Sequence, residues 1–103
     1  MNLKVFGFGS FFSQREHRDI DLLIVHQDVT TYSIGLAIEA KSLLLAQSSR
    51  FDVVLLSEME ERSLDFTRKS NAVALGSLSD ADLPLQIERL AKQLLSRRMC
   101  EQI

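Results

Sequence analysis

Three aspartates have the residue type and spacing to do chemistry in this sequence. Asp19 and Asp21 open the apolar run 22–25, and Asp52 stands in a second apolar run, 51–56. Side chains two positions apart on a strand point to the same side of a sheet, so an extended segment would bring the first two carboxylates together. Carboxylates held close repel each other unless a divalent cation neutralises them. The spacing therefore indicates a magnesium site, to which Asp52 could contribute from a neighbouring strand.

A turn precedes these carboxylates. Gly7 and Gly9 end the first apolar stretch and permit a sharp turn at which the backbone comes close to another group. Ser10 follows that turn. Arg15 and Arg18 come next, and they either add positive charge near the site or belong to an exposed loop.

Length and composition limit the class of protein to which this chain can belong. With 103 residues, of which 46% are hydrophobic and 25% charged, we expect one globular domain over residues 1–103. No apolar run approaches the roughly 20 residues that cross a bilayer, and the N-terminus lacks a signal-peptide pattern, which predicts a cytoplasmic protein without membrane contact. A net charge of −2 gives no electrostatic reason to bind a nucleic-acid backbone. The single cysteine, Cys100, cannot form an internal disulfide.

Strand and helix signals alternate along the chain without a linker. Apolar runs predict strands at Leu3–Phe8, Asp19–Val25, Phe51–Leu56 and Ala72–Leu75, the last ended by Gly76. Capping residues and apolar spacing predict helices from about Tyr32 to Gln47, from Ser57 to about Lys69, and from Asp82 onward, with a short helix or loop over Phe11–Glu16. This order predicts a small α/β (α+β) fold whose helices pack on one or both faces of the sheet.

Local patterns add detail to the three longer helices. Asp28 or the pair Thr30-Thr31 can cap the first, and Ser57 with Glu60 matches a capping box for the second. The predicted apolar positions of the first helix include Ile34, Ile38, Leu44 and Leu45. The last helix carries a clear apolar stripe made of Ile87, Leu90, Ala91, Leu94 and Leu95.

Together, Gly9-Ser10, the Asp19-x-Asp21 pair and the strand-borne Asp52 resemble the nucleotidyltransferase superfamily, in particular its minimal, antitoxin-like group. The resemblance extends through nearly the whole chain, as far as the stretch 66–75. It implies a small mixed sheet. It also implies that Gly9 and Ser10 bind the phosphates of ATP, and that Asp19, Asp21 and Asp52 are the catalytic and Mg²⁺-binding residues. In this family the third carboxylate assists the attacking hydroxyl.

The same resemblance implies a reaction and a partner. It predicts a Mg²⁺-dependent transfer of AMP from ATP to a hydroxyl on a partner protein, for which a HEPN-domain toxin is the expected type. An alternative is a catalytically weak module with this fold that masks a partner or joins a homo-oligomer. Phe11-Phe12 motivates it, because adjacent aromatic residues next to the motif would form an interface if they were exposed. A small-molecule acceptor, such as an aminoglycoside, is a third possibility.

Overall fold

A computed structural model describes residues 2–9, 12, 19–27 and 30–101, with side chains described as far as Ser96. Within these residues, four strands form one mixed sheet with helices on both faces. The strands are β1 (Asn2–Phe8), β2 (Ile20–His26), β3 (Phe51–Ser57) and β4 (Val73–Ser79). The helices are α1 (Thr31–Gln47), α2 (Glu58–Leu64), α3 (Phe66–Lys69) and α4 (Leu83–Glu101). The predicted α/β fold with a small mixed sheet is confirmed.

The strand order brings the two acidic strands together. The sheet runs β3-β2-β1-β4, with β1 antiparallel to both β2 and β4 and with β2 parallel to β3. Two parallel neighbours need a long crossover, and α1 supplies it between β2 and β3. As a result, Asp21 and Asp52 are paired positions on adjacent strands. The prediction that the second apolar strand lies beside the first is confirmed.

One face of the sheet, which we call the first face, packs against α1 and α4. Side chains alternate along β2, so Ile20, Leu22 and Ile24 all point to this face, where each is fully buried. The stripe predicted for α4 is confirmed, since Ile87, Ala91 and Leu94 are buried and Leu90 and Leu95 pack against them. No helix in the described part of the chain is both long and apolar enough to cross a membrane.

The apolar face predicted for α1 is only partly correct. Leu44 is buried, but Ile34, Ile38 and Leu45 remain 37%, 52% and 44% exposed. The buried positions of this helix are Ser33, Leu36, Ala37, Ala40 and Leu44. Apolar residues occur nearly all round α1, so periodicity alone does not select a face. The small residues allow the helix to lie close to the sheet, and this packing decides which side is buried.

The start of α1 is held by two polar contacts. The Thr30 hydroxyl accepts a hydrogen bond from the Ser33 N–H (3.2 Å), which confirms the predicted threonine cap, whereas Asp28 lies outside the described residues. The Tyr32 hydroxyl donates to the Asp80 carboxylate in the turn between β4 and α4. This bond raises the pKa of Tyr32 and lowers that of Asp80, because it favours the protonated tyrosine and the ionised aspartate.

The opposite, second face is covered by the short helices α2 and α3. The predicted capping box is confirmed, because the Ser57 hydroxyl accepts from the Glu60 N–H (3.1 Å) and the Glu60 carboxylate accepts from the Ser57 N–H (2.9 Å). The hydrogen bond from the Ser57 N–H to the carboxylate favours the ionised form and lowers the pKa of Glu60. The predicted single helix to Lys69 is wrong, since the chain turns at Asp65, which has a left-handed φ of 53°. The turn is held by Thr67, whose N–H and hydroxyl both donate to the Glu61 carboxylate.

The predicted end of the last strand at Gly76 is also wrong, because β4 continues to Ser79. Val5 of β1 lies opposite Gly76, whereas Phe6 lies opposite Ala74, so Leu75 is an extra residue in a β-bulge. Gly76 has a φ of 134°, a conformation that residues with a side chain rarely adopt. The glycine therefore marks a bulge inside the strand, and hydrogen bonding to β1 carries β4 past it.

Candidate functional site

The three predicted aspartates lie at one end of the sheet, and we call them the acidic cluster. Phe8, Asp21 and Asp52 occupy paired positions on β1, β2 and β3, and alternation places all three on the second face. Asp19 immediately precedes β2, two residues before Asp21. Asp19 and Asp52 are exposed and Asp21 is half-buried. The predicted juxtaposition of carboxylates is therefore present at the start of two parallel strands.

Asp21 has the most perturbed environment of the three. Its pKa is raised above the ordinary value of 3.8, first by burial and then by the negative charges of Asp52 and Asp19. Each of these effects disfavours the ionised carboxylate. A cation bound between the carboxylates would relieve the repulsion, which is the physical condition for a metal site.

Gly9 lies directly against the acidic cluster. It has a left-handed φ of 81°, and a Cβ atom placed on it would overlap the Asp21 Oδ2 atom. The Gly9 carbonyl accepts a hydrogen bond from the Phe12 N–H (3.2 Å), which closes the turn. Glycine is thus required here both for its conformation and for the close approach. The sequence predicted such an approach, but its partner, the Asp21 carboxylate, is visible only in the tertiary structure.

Phe12 is half-buried and belongs to the packing of the first face. Its ring lies over Gly7, where a Cβ atom would overlap the ring carbons. This aromatic residue therefore does not project as a free contact surface. Ser10, Phe11, Arg15 and Arg18, to which the sequence assigned phosphate contacts, an interface or positive charge, lie outside the described residues.

An aromatic pair beside the acidic cluster was not found from the sequence. The rings of Phe8 and Phe66 meet edge to face, with centroids 5.0 Å apart and planes at 87°. Phe8 is the β1 residue paired with Asp21, so this contact stands next to the carboxylates. No local pattern could have revealed it, because the two phenylalanines are far apart in the chain and meet only when α3 folds over the second face.

The oxygen donors of the acidic cluster fit Mg²⁺, a hard cation that prefers carboxylates, water and phosphate oxygens. Within residues 2–9, 12, 19–27 and 30–101, no group of three or more His, Cys, Asp or Glu side chains is arranged to hold a metal ion by itself. Mg²⁺ commonly binds through one or two carboxylates together with substrate phosphates. The donor set therefore suits a metal that arrives with a phosphorylated ligand.

Comparison of the chain with protein-family models, curated proteins and solved structures gave no match. We therefore infer a function from the geometry of the acidic cluster and from the motifs in the sequence.

Proposed function

We propose that this chain is a Mg²⁺-dependent nucleotidyltransferase that moves AMP from ATP to a hydroxyl on a partner protein. The observation that supports it most directly is the position of Asp21, whose carboxylate lies between the paired Asp52 and the close-packed Gly9. A glycine turn against one of several repelling carboxylates combines a backbone suited to phosphate with side chains suited to Mg²⁺. The order of these motifs in the sequence agrees with the superfamily resemblance.

Each carboxylate has a role in this proposal. Asp19, Asp21 and Asp52 would hold Mg²⁺ together with triphosphate oxygens, since the three carboxylates are not arranged to hold an ion by themselves. Bound Mg²⁺ would neutralise the charge that develops on the phosphate oxygens and would lower the pKa of the incoming hydroxyl. Asp52 is exposed on the edge strand β3, so an acceptor can reach it from solvent.

In the reaction, the acceptor oxygen bonds to the α-phosphorus while the bond from that phosphorus to the bridging oxygen breaks, and pyrophosphate leaves. Asp52 accepts the proton of the acceptor hydroxyl as general base. By the superfamily resemblance, backbone N–H groups at Gly9-Ser10 and the Ser10 hydroxyl would donate hydrogen bonds to the triphosphate. The acceptor is a hydroxyl-bearing protein side chain, and a HEPN-domain toxin is the proposed partner.

The test uses ATP labelled at the α-phosphate, Mg²⁺ and a HEPN-domain partner protein. We expect label on the partner, and loss of at least about a hundredfold in rate for Asp21→Ala because a metal and charge contact is removed. Glu39→Ala, an exposed acidic residue on α1, is the matched control and should label normally. Equal labelling by the Asp21 variant would exclude the proposed site.

The second candidate is a binding module with little catalysis, and the exposed Ile34, Ile38 and Leu45 of α1 favour it. Apolar side chains left in solvent are typical of surfaces that contact another protein. Calorimetry with Mg²⁺ and ATP separates the two functions. Micromolar binding that Asp21→Ala abolishes supports the enzyme, whereas the module predicts no ATP binding.

A further inference from the structure

Phe66 is placed by an unusual backbone turn. Asp65 adopts the left-handed conformation, which costs energy for a residue with a side chain and persists only where the surroundings hold it. Its N–H donates to the Glu61 carbonyl (2.7 Å), and Glu61 also accepts hydrogen bonds from Thr67 on the far side of the turn. These contacts direct the chain so that Phe66 starts α3 against β1.

The Phe66 ring is linked to the acidic cluster through Phe8. Phe8, which supports the Phe66 ring edge to face, is paired with Asp21 in the sheet. Side chains at paired positions of antiparallel strands are about 5 Å apart at their Cβ atoms. Both phenylalanines are half-buried, so neither is fully covered by the rest of the protein. Phe8 thus lies one strand spacing from Asp21, a carboxylate proposed to hold the triphosphate, and Phe66 contacts Phe8 from α3.

We propose that Phe66, braced by Phe8, is the platform on which the nucleobase of the bound nucleotide stacks. This inference rests on the proposed function and deepens it, because it names a base-bearing nucleotide as the ligand class and Phe66 as the residue that contacts the base. Aromatic side chains stack on any base, since every base presents a π-face. The edge-to-face contact with Phe8 fixes the ring before the ligand binds, so little side-chain entropy is lost on binding.

The test compares two phenylalanines of the apolar cluster on the second face. Phe66→Leu keeps apolar volume on the second face and removes the aromatic surface. Phe6→Leu makes the same change on β1. Phe6 lies two residues before Phe8, opposite Leu23 of β2, and packs against the same apolar cluster of the second face. Binding of ATP and of ribose 5-triphosphate, which lacks the base, is measured by calorimetry with Mg²⁺ for the wild type and both variants.

We expect Phe66→Leu to weaken ATP binding about tenfold, as loss of one stacked base does, and to leave ribose triphosphate binding within about twofold. Phe6→Leu should change neither affinity. Unchanged ATP affinity, or equal weakening of both ligands, in Phe66→Leu overturns the platform. If that variant does not fold, the wild type still decides, because equal affinity for ATP and ribose triphosphate overturns the platform and a marked preference for ATP supports it.

The same measurements separate this inference from the proposed function. Wild-type protein that binds neither triphosphate excludes the nucleotidyltransferase, and the platform is excluded with it. Binding of both ligands with equal affinity, abolished by Asp21→Ala, keeps the triphosphate site and excludes only the stacking role of Phe66.

Discussion

The two faces of the sheet are built in different ways. The first face is sealed by α1 and α4, of 17 and 19 residues, over a continuous core that includes Leu22 of β2. The second face carries helices of only seven and four residues and a buried cluster of three residues, Leu23, Val25 and Leu56. The acidic cluster lies on the second face. Burying a carboxylate without a partner is costly, so the carboxylates lie where the cover is incomplete and the large apolar core lies where it is complete.

The largest effect expected is on the first face. Leu22→Ala should cost about 3–4 kcal/mol of unfolding free energy, because the large core between sheet and helices cannot collapse around the cavity. Leu23→Ala, an equally buried neighbour that points to the second face, should cost about 2 kcal/mol because half-buried side chains around it can move inward. Urea unfolding of both variants measures the difference. Equal costs would mean that the two faces are packed alike.

Gly9→Ala should have the next largest effect, on the second face. Alanine must adopt a left-handed φ and its Cβ overlaps Asp21, so we expect a loss of about 2 kcal/mol and weaker binding of Mg²⁺ with ATP. Gly35→Ala is the matched control, since this exposed helical glycine has open space around it and should gain up to about 1 kcal/mol. Thermal unfolding and calorimetry test both variants. A Gly9 variant as stable as the wild type would contradict the close contact.

Removal of the capping box should weaken the cover of the second face alone. Ser57→Ala should lower stability by about 1 kcal/mol, because the Glu60 N–H loses its acceptor at the start of α2. Ser63→Ala, at an exposed position of the same helix, serves as control and should be nearly neutral. Hydrogen exchange locates the effect. We expect faster exchange in α2 and unchanged exchange in α1. A uniform increase over both helices would mean that the helices on the two faces do not unfold independently.

The smallest expected effect is electrostatic. The pKa of Asp21 is raised in the folded state, so between 3.8 and that raised value the folded protein binds more protons than the unfolded chain. The contribution of Asp21 to the free energy of unfolding therefore falls as pH rises through that window. At neutral pH the ionised carboxylate destabilises the folded state by its full amount. Asp21→Asn should remove this slope and be more stable than the wild type at pH 7. Thermal unfolding at several pH values, with and without Mg²⁺, measures the slope. An unchanged slope in Asp21→Asn would contradict the raised pKa of Asp21.

Much of the fold was predictable because it depends on patterns between near neighbours. The bounds of β1, β2 and β3, the capping box at Ser57 and the stripe on α4 follow from alternation, capping chemistry and helical spacing. The pairing of Asp21 with Asp52 could also be predicted from the sequence. A strand, a helix and a second strand form a compact crossover unit that places the two strands side by side.

The sequence by itself determined the types and order of the elements and the residues available for chemistry, because side-chain propensities and periodicity act over a few positions. Only the tertiary structure decided which side of α1 is buried, how the chain turns at Asp65, and that β4 passes Gly76 in a bulge. It also decided that Gly9 contacts Asp21 and that Phe66 meets Phe8. The turn at Asp65 depends on contacts of Glu61 with Asp65 and Thr67, which no simple sequence pattern marks. The other features depend on contacts between distant parts of the chain, whose energies override local preference where packing requires it.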